Sequence, residues 1–153
     1  ALVQMMTEDG FRVEKYDLYF FPDPGPLAET YDFITCTETV EHLRQPMEVF
    51  VLLNSILRPG GRVGIMTGIL DDRSKFGDWH YQRDPTHIAF YTRRTLDWIA
   101  TQMDWYIEFQ SADVTILTKR GNQYQASRRT PCDAKVPSPS GLKGVCKPIN
   151  RSS

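Results

Sequence analysis

Two periods of apolar residues run through this chain, one of three- and four-residue steps and one of two. Leu2–Glu8 has helical composition, and Gly10 stands where a helix would close. Phe11–Phe21 alternates and is rich in aromatics, which predicts a strand over Arg12–Tyr16, and Asp23-Pro24-Gly25-Pro26 then breaks the pattern into a loop. Tyr31–Cys36 is almost wholly apolar, as a strand covered on both faces would be. Thr39–Leu57 carries Val40, Leu43, Met47, Phe50, Val51 and Leu57 at helical steps, with Pro46 inside the pattern. A proline fits the first helical position, so the main helix is expected over Pro46–Leu57. Arg58-Pro59-Gly60-Gly61 reads as stop and turn, and Arg62–Thr67 as the next strand. Asp71–Thr86 is polar and aromatic without a clean period and is read as loop with short turns. Thr92–Met103 places Leu96, Ile99, Ala100 and Met103 on one helical stripe, and Tyr106–Gln110 with Val114–Lys119 predicts a closing antiparallel hairpin.

Beyond Gly121 the apolar period stops. Pro131, Pro137, Pro139 and Pro148 stand among serines and glycines, so residues 121–153 are expected to form a disordered or strap-like tail to a domain over 1–120. Six Lys or Arg residues in the tail face Asp133 alone, giving it +5 and leaving −6 for the rest of a chain whose total is −1. That total gives no reason to expect nucleic acid or a membrane surface as partner, and a solvated tail is the simpler reading of the basic end. Three cysteines without a Cys-x-x-Cys pair fit a reducing compartment, and cytoplasm is the expectation in the absence of a signal peptide or transmembrane run. Cys36, at a strand end, is read as packing rather than as a nucleophile.

Strand, amphipathic helix, Pro-Gly-Gly, strand over Tyr31–Thr67 is the unit that builds parallel sheets with ligands at the strand ends. The run YDFI-x-C-x-E-x-x-E-H-L, then LRPGGRVGI, then DPTH…FYT…TL, resembles the second half of a class I S-adenosylmethionine-dependent methyltransferase over about Phe11–Lys119. The resemblance implies an α/β, Rossmann-like methyltransferase sheet ending in an antiparallel hairpin. It also implies cofactor contacts. Asp17, with Leu18 beside it, stands where an acid would hold the ribose hydroxyls, and Thr37 and Glu38 stand at the methionine and acceptor end. The sequence departs from the family in having no G-x-G-x-G run, and only sixteen residues precede Asp17. The sheet is therefore expected to be incomplete, lacking the central first strand and its glycine loop. Such a gap leaves backbone groups unpaired, which predicts a homodimer formed through an open edge.

Glu38, Glu41 and His42 are spaced i, i+3, i+4 and would share one helical face. Two carboxylates and an imidazole make a candidate divalent cation site, Mg²⁺ or Mn²⁺ by its oxygen content, with Fe²⁺, Co²⁺ or Zn²⁺ open. Glu-x-x-Glu-His followed by His87-Ile-Ala-Phe-Tyr91-Thr92 resembles metal-dependent members of the superfamily, which adds His87 to Glu38, Glu41 and His42. A pair of histidines that only orders the loop by hydrogen bonding is the alternative. Trp79-His80-Tyr81 is read as a lid over the acceptor or as plain hydrophobic anchoring. The function implied is methyl transfer to oxygen or nitrogen of a small molecule, with His42 and His87 placing the acceptor. The second reading is a methyltransferase remnant that does not hold the cofactor and serves as a self-associating or partner-completed module.

Overall fold

A computed structural model describes residues 2–17, 20–121 and, for the backbone, 147–151. The elements are α1 (Leu2–Glu8), β1 (Phe11–Val13), β2 (Tyr31–Thr37), α2 (Pro46–Ile56), β3 (Leu57–Met66), α3 (Arg93–Met103), β4 (Trp105–Phe109), β5 (Val114–Lys119) and β6 (Lys147–Arg151). They form a mixed six-stranded sheet in the order β1-β6-β2-β3-β5-β4. β2 and β3 are parallel, and β3-β5-β4 continue antiparallel as the predicted hairpin.

Why α2 forms where it does is clear from its sequence. Pro46 opens it, where the missing N–H leaves no bond unmade, and Val49, Phe50, Leu53 and Ile56 fall on one buried stripe. Its last carbonyls would otherwise lack partners. Lys119 of β5 donates to Asn54 O at 2.6 Å and Leu57 O at 2.8 Å, and the Trp105 indole N–H donates to Asn54 Oδ1 at 2.9 Å. Burial pushes the Lys119 ammonium below its usual value. α3 is capped by Thr92, whose hydroxyl accepts from Thr95 N at 3.1 Å, and it closes at Asp104 in the left-handed region (φ 55°). Tyr31, Ile34, Val63, Ile65, Leu96 and Leu117 join the α2 stripe in one core.

Four sequence expectations shift. The predicted Arg12–Tyr16 strand is the shorter β1, after which Asp17 pairs back to Phe21 in an isolated antiparallel bridge. β2 is not covered equally on both faces: Tyr31, Ile34 and Cys36 are buried while Asp32 and Thr37 are exposed. Pro59-Gly60-Gly61 does not end the pairing but bulges inside β3, since Tyr31 pairs with Leu57 and Phe33 already pairs with Arg62. Gly60 takes φ +80° there, and a side chain on Gly61 would strike Arg58 O at 2.8 Å. Cys36 is buried as expected, yet it is disulfide-bonded rather than a free packing thiol.

The expected gap beside β2 is filled from within the chain. β6 pairs antiparallel with β1 (Val13 opposite Ile149) and with β2 (Phe33 opposite Ile149). The remainder of the tail lies outside the described residues. No helix among the described residues is long and apolar enough to cross a membrane.

Candidate metal centre

β2 ends at Thr37, and Glu38 turns the chain sharply with φ 47°, a conformation uncommon for a residue with a Cβ. Its N–H still donates to Met66 O at 2.9 Å, so the turn is anchored on β3. A 3-10 turn over Val40–His42 follows, in place of the helix expected from Thr39. The consequence is a split of the predicted triplet. Glu41 is driven fully into the interior, whereas Glu38 stays exposed at the rim.

Buried Glu41 is well satisfied. Tyr81 donates its hydroxyl to Glu41 Oε1 at 2.6 Å, and Thr67 donates to Glu41 Oε2 at 3.0 Å. The Tyr81 hydroxyl also reaches Glu38 Oε2 at 3.3 Å. Burial, then the charge of Glu41, holds the Glu38 carboxyl above its usual range. Burial and the bond to Glu41 likewise raise the Tyr81 phenol, which keeps it a donor.

The 84–91 segment is stitched to the same turn. Ile88 N and Ala89 N both donate to Glu41 O at 2.9 Å, and the Tyr91 hydroxyl donates to Val40 O at 3.0 Å. The two histidines are fixed alike. His42 Nδ1 lies 3.0 Å from Thr86 O, and His87 Nδ1 lies 2.8 Å from Tyr81 O. A carbonyl can only accept, so each Nδ1 carries a proton, while His42 Nε2 faces Glu41 Oε1 at 3.9 Å and His87 Nε2 faces Asp84 Oδ2 at 3.7 Å. The rings meet edge to face at 4.9 Å. Glu41, His42 and His87 thus bring one carboxylate oxygen and two imidazole nitrogens within 4.8 Å of one another. Nδ1–H tied to a carbonyl is the outer-shell arrangement that orients metal-binding histidines.

Of the predicted ligands, Glu41, His42 and His87 come together, and Glu38 is linked to them through Tyr81 rather than joining the cluster. Thr67 was not anticipated. It is the residue just after β3, on the sheet edge where parallel strands present ligands, and that position was the available signal. Tyr81, expected in a lid, reaches the site because Gly68 leaves room; a Cβ there would lie 2.8 Å from the Trp79 ring and 2.9 Å from the Tyr81 ring.

The donor side is different. Asp17 lies four residues beyond Val13 and Thr37 four beyond Phe33, so both leave the sheet by the same edge, on either side of β6. Asp17 Oδ1 accepts from Phe20 N at 3.0 Å, and Leu18 is outside the described residues. Between them runs an antiparallel strand rather than a parallel strand leading into a glycine turn. With that strand between the two positions that the resemblance assigns to S-adenosylmethionine, the described residues do not by themselves fit that group.

A family profile for the methyltransferase domain matches residues 2–109. The fold is similar to that of an O-methyltransferase family protein from Burkholderia thailandensis, with a TM-score of 0.50 and 15% identity. That likeness covers 62% of this chain and 32% of the other, so the chain spans about a third of that protein's length. No curated protein sequence matches the chain. The chain belongs to the methyltransferase domain family, and its α/β sheet is an incomplete Rossmann-like one.

Proposed function

We propose that this chain forms the acceptor side of a cation-assisted methyltransferase acting on the oxygen of a small molecule. The convergence of Glu41, His42 and His87 carries the reading. Two imidazoles and one carboxylate suit Mn²⁺, Fe²⁺, Co²⁺ or Zn²⁺ better than Mg²⁺, which favours oxygen-only ligation. A divalent cation in such a set would draw an acceptor hydroxyl close and lower its pKa. Glu41 supplies the anionic ligand, its free rotation removed by Tyr81 and Thr67. His42 and His87 would supply ring nitrogens whose direction is set by Thr86 O and Tyr81 O. Glu38, protonated more readily than an ordinary carboxylate, stands at the rim, where it can take the acceptor's proton once a cation offsets the charge of Glu41. The similarity to a protein described as an O-methyltransferase supports oxygen over nitrogen as the acceptor atom.

β6 favours a second reading, in which the chain holds a cation and no methyl donor. An antiparallel strand runs between the two positions proposed for the donor. Self-association belongs with this reading; β1 and β4 are the sheet edges left to pair. Calorimetric titration with S-adenosylhomocysteine separates the two. Binding that Asp17→Ala weakens at least tenfold supports methyl transfer by this chain. Heat only of dilution up to millimolar ligand supports the second reading, and light scattering then reports whether the chain is a dimer.

A further inference from the structure

We propose that a groove on the outer side of the aromatic loop binds an aromatic carboxylate, at a site separate from the cation cluster. The groove has a volume of about 810 Å³ and lies between the 3-10 turn Arg73–Asp78 and α3. That is the size of a small-molecule site. Leu70, Phe76, Phe90 and Trp98 give it an apolar lining, and Glu41, His42 and His87 are not among its walls. Phe76 is 39% and Trp98 53% exposed, unusual for such large apolar side chains brought together around one groove. The wall is preorganised: Phe90 meets Phe76 edge-on at 5.1 Å and Trp79 at 5.9 Å.

Charge selects the ligand's other end. Arg93, at the start of α3, is engaged by Asp71 at 3.0 Å and lies over the Phe109 ring. Arg73 and Arg94 also line the groove, and neither has an ion pair or side-chain hydrogen bond among the described residues. Guanidinium groups offer paired N–H donors that match a carboxylate, and Arg73 and Arg94 line the same groove as Phe76, Phe90 and Trp98. A planar apolar body with a carboxylate at one end satisfies both features, while a neutral analogue satisfies only one.

The test is titration of naphthalene-2-carboxylate and of naphthalene-2-carboxamide, followed by tryptophan fluorescence and calorimetry. The carboxylate is expected to bind at least tenfold more tightly than the amide. Arg73→Gln with Arg94→Gln should erase that preference and leave cation binding at Glu41, His42 and His87 unchanged. Trp98→Ala should weaken both ligands at least fivefold. Failure of the wild-type chain to bind either compound, equal binding of the two, or a preference that survives the double substitution would each overturn the proposal. Because cation binding is read separately, loss of this site and loss of the proposed cation site are distinguishable.

Discussion

On one side of β2 the parallel partner β3 runs beside it from Phe33–Arg62 to Thr37–Met66, α2 shares the core with both strands, and Lys119 ties α2's end to β5. On its other side β6 pairs over Phe33–Thr35 and passes the sheet on to the three residues of β1. The first side carries the cluster of Glu41, His42 and His87; the second carries Asp17 and Thr37, the residues proposed for a methyl donor. The three side chains are brought together where local turns, buried apolar residues and side-chain-to-carbonyl bonds agree. Where the sheet depends on a short strand brought from far along the chain, the described residues bring no such cluster together.

The largest expected effect sharpens that contrast. Phe50→Ala removes a fully buried ring that packs on Trp105, and it should cost about 3–5 kcal/mol in denaturant unfolding. Phe11→Ala in half-buried β1 should cost less than half as much; equal costs would break the comparison. Next comes the cluster's support. Tyr81→Phe removes the 2.6 Å bond to Glu41 and should weaken cation binding about 10–100-fold, the usual cost of losing an outer-shell partner. Gly68→Ala should act in the same direction by pushing Trp79 and Tyr81 away, without touching a ligand.

These two predictions mark what could be read from the sequence and what could not. Glu41 and His42 could be read beside Glu38 because their spacing is a local fact, whereas His87 was reached only through the resemblance of its downstream segment to metal-dependent methyltransferases. Thr67 and Tyr81 are brought to Glu41 by the fold, from 26 and 40 residues away, and no spacing announces them. Strand and helix periods located β2, α2, α3 and the hairpin. β6 was hidden because Lys147-Pro148-Ile149-Asn150-Arg151 has no alternation, and Pro148 lacks the N–H that an interior strand uses for its ladder. Pro59-Gly60-Gly61 was read as a stop because the signals for a turn and for a glycine-dependent bulge are the same residues. Glu38's left-handed backbone, which separates it from Glu41, leaves no mark in the sequence.

A smaller effect tests the dependence on β6. Deleting residues 147–153 should abolish amide-exchange protection over Phe11–Val13 while β3 and β5 keep theirs, because among the described residues β6 is the one strand paired with β1. Cation affinity should change less than twofold. The smallest effect concerns alkaline stability. Burial, then the charges of Glu14 and Glu29, raises the Tyr31 phenol to about 12, and burial raises Tyr91 as well. A phenol whose folded pKa is raised contributes stability that is whole below its ordinary value near 10 and is lost as pH rises from there through about 12. The melting temperature should therefore fall over that window. Tyr31→Phe should flatten the fall, and by losing the bond to Pro26 O it should lower stability at neutral pH by about 1 kcal/mol.

Calorimetric titration of Mn²⁺ and Zn²⁺ into the metal-free chain, beside Glu41→Gln and His87→Ala, is the most direct test of the cation site. The account predicts one bound ion per chain, with affinity falling more than about 100-fold in each variant, a larger loss than an outer-shell change produces. Absence of binding to the wild-type chain, or binding that both variants retain, would contradict it.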